Sequence, residues 1–351
     1  MRIGIPREIK PLEGRVALIP EACGDLVRIG HKVLVETGAG LASGFPDRAY
    51  EAAGAAIVEG AAPLFADAEL IVKVKEPWGP EIDFLRPDQI LFSFLHLAAN
   101  PSLAERLAAS GLTALAFETV RENGRLPILG PMSEIAGRLA VQIGATLLQA
   151  PQGGKGLLLG GLPAAERGHV VVLGAGNAGG AAVRMAAAIG ARVTVLDRDL
   201  RKLAAMRAAG ANVTGLYPHA DSLARAAEEA DLLIGAVLVP GARTPRLIRE
   251  RQVAAMESGS AIVDIAVDQG GCIETTHPTT YEAPTYRVHE VVHFAVTNMP
   301  GAVPRSASRA LGATLLPWVV RLADPDWRSD PILADAVNVA GGALVHPAVR
   351  S

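Results

Sequence analysis

His169 to Asp197 reads HVVVLGAGNAGGAAVRMAAAIGARVTVLD, and this stretch decides the fold. Val170 to Leu173 form an unbroken apolar run with β-branched residues, the composition of a strand buried on both faces of a parallel sheet. Gly174-Ala175-Gly176-Asn177-Ala178-Gly179 fits G-x-G-x-x-G. In that pattern the first glycine makes a tight turn, the second lets backbone approach a pyrophosphate, and the third lets the helix pack close to the strand. The pyrophosphate would rest on the N–H groups that open the helix. That helix, Ala178 to Ile189, is rich in alanine and glycine, and Arg192 to Leu196 then returns as a second strand. Asp197 ends the strand about 20 positions after the middle glycine, where a carboxylate accepts hydrogen bonds from the adenosine ribose and repels a 2′-phosphate. The stretch predicts a dinucleotide-binding unit that favours NAD over NADP. A glycine loop alone is a weak signal; the flanking strand, helix and acid make it specific. Arg198, directly after the acid, reads as a solvated loop arginine, although an arginine there is able to tolerate a 2′-phosphate.

Length and composition narrow the class. A chain of 351 residues is long enough for two ordinary domains, and a net charge of -3 without any lysine/arginine run speaks against a nucleic-acid or anionic-membrane surface. No apolar stretch approaches the roughly 18 uncharged residues of a membrane span; the helix after the glycine loop itself carries Arg184. MRIGIPREIK lacks a long apolar segment, so the expectation is a cytoplasmic protein. Cys23 and Cys272 are too few and too far apart in sequence for a disulfide framework or a zinc site, and read as small buried side chains.

Around the glycine loop the chain alternates strands and helices. Before it, strands are expected at Arg2 to Ile5, Lys32 to Glu36, Leu70 to Val74, Gln89 to Leu95 and Thr113 to Phe117, with helices at Glu21 to Ile29 and Leu103 to Ala109. Ser133 reads as the N-cap of a long helix running to about Gln149, and Arg305 to Leu322 as a second long helix. PQGGKGLLLGG lacks the Gly-Lys-Ser/Thr ending of a phosphate loop and reads as a structural turn. After Asp197 the pattern predicts helices at Leu200 to Ala209 and Leu247 to Met256, and strands at Asp231 to Leu238, Ala261 to Val267 and Val291 to Thr297. The fold expected is α/β: two Rossmann-like doubly wound parallel-sheet domains linked by the two long helices. Residues 1–130 plus 305–351 would form a discontinuous substrate domain, and 131–304 the dinucleotide-binding domain.

Two constellations bear on chemistry. His289-Glu290-Val291-Val292-His293 matches H-E-x-x-H, which binds zinc only on a helix, where i and i+4 share a face. Its surroundings are β-branched and strand-like, and on a strand the two histidines would stand roughly 13 Å apart, so no metal site is expected. The second constellation is Arg15 in EGRVALIP, Lys75 in IVKVKEP, His96 in FSFLHLAAN and Asp268 in IVDIAVDQGG. Each has a plain reading: solvated charges for Arg15 and Lys75, a core histidine for His96, a turn carboxylate for Asp268. Together they supply an arginine for a carboxylate, a lysine, an imidazole and a carboxylate base, which suits a small oxo or amino acid beside a nicotinamide.

RIGIPREIK, EGRVALIP, HKVLVETGAG, VKVKEP, FLHLAAN, PMSEIAGR, PQGGKGLLLGG, IGAVLVPGA, VDIAVDQGGC, PTTYEAPTY and TNMPGAVPR, in this order over nearly the whole chain, resemble the alanine dehydrogenase family. The resemblance implies reversible NAD-dependent oxidative deamination of L-alanine to pyruvate and ammonium, in a homohexamer of two-domain subunits with the active site in the cleft. It implies that Arg15 and Lys75 bind substrate and that His96 and Asp268 are catalytic. Cofactor contacts would fall on Ser133, Gly174, Gly176, Asn177, Ala178, Gly179, Asp197, Lys202, Val237, Leu238, Ile265, Ala266, Val267, Asp268, Val296, Thr297, Asn298 and Met299. Three positions depart from the family's habit: His277 replaces an arginine, Pro218 a serine, and Thr297 a smaller residue. The alternatives are the NAD-binding subunit of a proton-translocating transhydrogenase, and an opine- or saccharopine-type dehydrogenase of the same fold.

Overall fold

A computed structural model describes residues 1–237 and 244–350. The chain divides into two compact units, Met1–Met132 with Gly301–Ser351, and Ser133–Pro300. Both are α/β units built on a sheet dominated by parallel strands.

The first unit holds β1 (Arg2–Ile5), β2 (Lys32–Glu36), β3 (Ala56–Val58), β4 (Leu70–Val72), β5 (Ile90–Ser93) and β6 (Thr113–Ala116). β4, β5 and β6 are buried along their whole length, as continuous apolar runs in a parallel sheet should be. In space these six run β3-β2-β1-β4-β5-β6, so the order reverses between β1 and β4. In doubly wound sheets, ligands bind at such a switch point, beyond the carboxyl ends of the strands. The C-terminal segment completes the sheet: β14 (Val337–Ala340) pairs antiparallel with β6, and β15 (Ala343–Leu344) with β14. The helix Pro304–Leu322 buries Ala307, Ser308, Leu311, Leu315, Trp318 and Leu322 at helical spacing. Ser308 Oγ accepts the N–H of Val16 at 2.9 Å and bonds Ser43 Oγ at 2.8 Å, which ties the C-terminal helix to the loop after Arg15.

The second unit contains β7 (His169–Leu173), β8 (Arg192–Leu196), β9 (Val213–Leu216), β10 (Leu232–Gly235), β11 (Ala261–Asp264), β12 (Thr285–Val288) and β13 (Val291–Phe294). Their order is β12-β13-β11-β10-β7-β8-β9, parallel except for edge strand β12. The six parallel strands repeat the arrangement of the first sheet, with the switch point between β7 and β10.

The structure corrects several expected boundaries. The helix assigned to Ser133 runs Leu129–Leu147, so Ser133 lies inside it and caps nothing. Pro131 falls in its first turn, where a missing N–H breaks no intrahelical bond. The strand expected to reach Val267 stops at Asp264, whose carboxylate accepts the Ala266 N–H at 3.0 Å and turns the chain into a 3-10 helix, Ile265–Gln269. The helix expected from Leu247 to Met256 shortens to Glu250–Val253. The H-E-x-x-H stretch is a two-residue hairpin: Val288 pairs with Val291, and His289 and Glu290 occupy the turn with φ of 50° and 59°. His293 lies buried on β13, and the described residues hold no metal-binding cluster of histidine, cysteine and carboxylate. No described helix is long and apolar enough to cross a membrane.

A turn with two positive φ values favours Asn-Gly, because a Cβ in the left-handed region costs about 1–2 kcal/mol per residue. The exposed Arg287–Glu290 pair at 3.7 Å offsets little of that. Glu290→Gly is therefore expected to raise stability by about 1 kcal/mol, read as a higher urea midpoint; an unchanged or lower midpoint would show that the turn carries no such strain.

Candidate active site

Three of the four residues singled out for chemistry lie at the carboxyl end of the first sheet. Arg15 is 3% exposed, and its Nε donates to Glu13 Oε1 at 2.7 Å while Nη2 pairs with Glu13 Oε2. Lys75 follows β4, on the other side of the switch point from the β1 loop. It is half-buried, and among the described residues its ammonium has no hydrogen bond or ion pair. Burial first, and then the nearby Arg15 guanidinium, hold that ammonium below the usual lysine range. A desolvated cation next to another cation is poised to receive an anion.

His96 follows β5 with φ of 48°, in the left-handed region. Glu118 holds this turn: Oε1 accepts the His96 N–H at 2.6 Å, and Oε2 the Leu95 N–H at 3.3 Å. The imidazole lies parallel to Phe94, centroids 5.7 Å apart, with its Nδ1 3.8 Å from Glu118 Oε1 and its side chain 49% exposed. It is no core histidine. A non-glycine residue fixed in a strained conformation at a strand end points to a functional constraint.

Several residues that spacing did not single out complete this end of the sheet. Lys73 is buried, with its ammonium 2.8 Å from Glu81 and 3.5 Å from Glu8. Burial pushes that ammonium down, but Glu8 and Glu81 outweigh it and hold it above the usual lysine range. Glu8 also accepts the N–H of Val74 at 2.6 Å and of Lys75 at 3.3 Å. Lys10 bonds Glu76; burial pushes the Glu76 carboxyl up, but Lys10 and Lys75 outweigh it and hold it below its ordinary range.

In the second unit the glycine loop has the geometry a pyrophosphate requires. Gly174 has φ of 94°, and a Cβ there would stand 2.8 Å from the Ala236 carbonyl oxygen. At Gly179 a Cβ would collide with the Gly174 carbonyl, so the third glycine is needed for helix packing. At Gly176 a Cβ would meet no protein atom within 4 Å. The space kept clear there is what phosphate oxygens need to reach backbone N–H groups. Asn177 opens the helix Asn177–Ala188, Ala178 follows it, and Gly176 and Asn177 are exposed. Asp197 Oδ2 accepts the Ala175 N–H at 2.7 Å and Oδ1 the Asp199 N–H at 2.8 Å, joining the end of β8 to the loop. Val237 follows β10 beside Gly174. Leu238 lies outside the described residues. Ile265, Ala266, Val267 and Asp268 form the 3-10 turn after β11, with Asp268 exposed. Val296 and Met299 are buried, Thr297 and Asn298 half-buried, and Asn298 has φ of 59°. Lys202 is exposed on the helix Leu200–Arg207. Ser133 is half-buried in the second turn of its helix, whose Gly137 admits the Ala178 carbonyl of the loop where a Cβ would clash.

Family models described as "Alanine dehydrogenase/PNT, N-terminal domain" and "Alanine dehydrogenase/PNT, C-terminal domain" match residues 4–136 and 140–347. The chain belongs to the alanine dehydrogenase/PNT family. It is 48% identical over 357 residues to an alanine dehydrogenase of Mycobacterium tuberculosis, covering 100% of this chain and 96% of that protein. A solved L-alanine dehydrogenase superposes with a TM-score of 0.96 at 49% identity, over 100% of this chain and 98% of the other. A solved transhydrogenase from Sinorhizobium meliloti gives 0.86 at 29% identity, over 99% and 100%. Membership brings with it an amino-acid dehydrogenase fold and a nucleotide cofactor.

Within this family frame, His277 is an exposed ring stacked on Tyr286 at 3.9 Å, and the Tyr286 hydroxyl accepts the His277 N–H and donates to the Thr275 carbonyl, both at 3.0 Å. A solvent-open polar cavity of 650 Å³ lies at the opposite, amino end of the second sheet, lined by Arg167, His169, Arg192, Glu229 and Asp231. Its size does not outweigh its position, because ligands of doubly wound sheets bind at the carboxyl ends. Arg192 is paired with Glu229 there at 3.6 Å, and Lys155 with Asp231.

Asp264 was also missed by the sequence reading. It is fully buried, and beyond Ala266 it accepts the Cys272 N–H at 3.1 Å and the Thr276 hydroxyl at 2.6 Å. Burial pushes its carboxyl up, against the pull of these donors. Asp264→Asn replaces an acceptor with an NH₂ group that faces a donor, so stability is expected to fall by about 1–3 kcal/mol, the cost of one orphaned buried group. Urea unfolding checks it, and a midpoint equal to wild type would mean the network tolerates the lost acceptor.

Proposed function

We propose that the protein is an alanine dehydrogenase that catalyses reversible NAD-dependent oxidative deamination of L-alanine to pyruvate and ammonium. The observation that carries this reading is Lys75, a half-buried ammonium held below its usual range beside the buried guanidinium of Arg15 at the switch point of the first sheet. Such a pair suits a small carboxylate. Residues 1–130 with 305–351 serve as the substrate domain and 131–304 as the dinucleotide domain.

In the deamination direction Arg15 binds the alanine carboxylate by charge-assisted hydrogen bonds, and Lys75 bonds the carboxylate or the developing carbonyl oxygen. A bound NAD would supply the hydride-accepting chemistry for the alanine Cα–H. Asp268 activates the water that attacks the resulting iminium and takes up amine protons. His96 donates and accepts the proton at the oxygen. Exposure of both side chains supports these roles, since each must exchange protons with solvent. Glu118 keeps His96 in place through its backbone.

Gly174, Gly176, Asn177, Ala178 and Gly179 would hold the cofactor's pyrophosphate, and Asp197 its ribose. Ser133, Lys202, Val237, Leu238, the segment Ile265 to Asp268 and the segment Val296 to Met299 would provide the other contacts. Asp197 favours NAD over NADP by charge repulsion of a 2′-phosphate. The enzyme works in the cytoplasm as a homohexamer, and the exposed Leu158 and Leu162 supply apolar surface that association would cover.

With pyruvate, ammonium and NADH, NADH absorbance is expected to fall, and the rate to vanish when ammonium is left out. His96→Ala and Asp268→Asn should each lose about 10²–10⁴-fold in turnover, the usual contribution of a positioned proton-transfer group. Arg15→Lys should act mainly on the KM for pyruvate, because lysine keeps the charge and loses the paired geometry. NAD-binding protein that reduces only longer oxo acids would move the assignment to an opine- or saccharopine-type dehydrogenase; NAD binding with no oxo-acid activity would favour the transhydrogenase subunit. Cofactor choice has its own test. Asp197→Ala should weaken NADH use and admit NADPH, and wild-type protein that already used both equally would remove Asp197 from that role.

A further inference from the structure

The switch point of the first sheet is spanned by one side chain. Glu8, in the loop that follows β1, is 8% exposed and reaches across to the segment that follows β4, where it accepts the Val74 N–H at 2.6 Å and the Lys75 N–H at 3.3 Å. Lys73, the residue between β4 and Val74, turns its ammonium to the same carboxylate at 3.5 Å. The backbone that carries Lys75 has just left the ladder between β4 and its neighbours, so its N–H groups need a new acceptor. Glu8 supplies it.

We propose that Glu8 is a positioning residue for Lys75, its carboxylate holding the Val74 and Lys75 N–H groups and thereby fixing where the Lys75 ammonium stands relative to Arg15. The proposal rests on the reading of Lys75 and Arg15 as the groups that bind the substrate carboxylate. Its reach extends to pH. The groups facing Glu8 are Lys73 after β4, Glu81 of the 3-10 helix Gly79–Phe84, Glu13 of its own loop, and the Val74–Lys75 backbone. Burial pushes the Glu8 carboxyl up, Lys73 and the Val74 N–H pull it back, Glu13 and Glu81 add to the rise, and the balance leaves it at about 7. Glu8 therefore gains a proton on the acid side of neutrality, where its hydrogen bonds to the two N–H groups weaken because a neutral acceptor is poorer than a charged one. A 2-oxo acid remains an anion throughout this range, so the Glu8 proton acts on the site and leaves the ligand unchanged.

Two measurements on the full-length protein test this. In the first, hydrogen exchange of a peptide spanning Val74 and Lys75 is compared in wild type and Glu8→Gln, at pH 8 and pH 6, after correction for intrinsic rates. Glu8→Gln should lower protection at pH 8, and wild type should approach the variant at pH 6; equal protection in both proteins at both values overturns the proposal. In the second, pyruvate kinetics and binding of the unreactive analogue oxamate are followed over the same range. Glu8→Gln should raise the pyruvate KM and the oxamate Kd roughly tenfold at pH 8 with kcat changed less than about twofold, and should flatten the acid-side weakening of oxamate binding. A loss confined to kcat, or an oxamate profile identical to wild type, rejects the positioning role. Glu8→Asp, which keeps the charge, should retain the pH step even if Glu8→Gln fails to fold; a flat Glu8→Asp profile would count against it. Wild-type protein without pyruvate turnover would sink the functional reading, while the exchange measurement would still decide whether Glu8 anchors Lys75.

Discussion

When a parallel strand leaves its sheet, its last N–H groups lose their ladder partners, and buried N–H groups must find new acceptors. This protein meets that constraint with carboxylates. Glu36 accepts the Arg7 N–H beyond β1, Glu8 those of Val74 and Lys75 beyond β4, and Glu118 those of Leu95 and His96 beyond β5. In the second unit Asp197 takes the Ala175 N–H beyond β7, and Asp264 the Ala266 N–H beyond β11. Each acid comes from the end of one strand, or the loop after it, and turns the chain leaving another or its own. The loops that carry Lys75, His96, the glycine fingerprint and Asp268 all take their course from such a bond.

Carboxylates suit the task because a charged acceptor makes stronger hydrogen bonds than a carbonyl and serves two donors at once. They also bring charge into a region of low polarity. Where the acid is buried, as at Asp264 and Glu8, its proton affinity rises, and at Glu8 the neighbouring carboxylates add to the rise. The first unit balances the crowding by interleaving cations: Lys73 between Glu8 and Glu81, Arg15 on Glu13, Lys10 on Glu76. Lys75 stands in the same cluster with no hydrogen bond or ion pair to its ammonium among the described residues. That contrast, more than any spacing in the sequence, supports the proposal that Lys75 faces the substrate.

The two sheets share one strand order and diverge in what their switch points carry. In the second unit the first crossover is a glycine loop opening a helix, which leaves backbone N–H groups for phosphate. In the first, the segment after β1 is a charged loop, and the donors are side chains. The same architecture thus presents backbone dipoles in one unit and ionised groups in the other, which fits a nucleotide cofactor and a small charged substrate respectively.

What the sequence determined by itself was local. The fingerprint from Gly174 to Gly179, the apolar run of β7 and the acid closing β8 depend on neighbours within a single βαβ unit, so their spacing alone locates them. The long helix Pro304–Leu322 was legible for the same reason, from apolar residues at helical intervals. His96 and Lys75 were visible only as residue types in motifs, because spacing does not tell a strained, exposed imidazole from a core histidine. Tertiary structure alone decided the rest. Nothing local in the sequence sets Glu8, Glu13, Glu118 and Asp264 apart from surface acids, and what Glu8 and Glu118 bond depends on strands brought together by the assembled sheet. The hairpin at His289 and Glu290 was hidden because neither residue favours positive φ; the pairing of β12 with β13 imposes it. Ser133 has the chemistry of a helix cap, yet the helix begins a turn earlier. Periodicity and turn chemistry act over a few residues, whereas the acceptor for a strand's last N–H is chosen by whichever side chain the assembled sheet brings within hydrogen-bond reach.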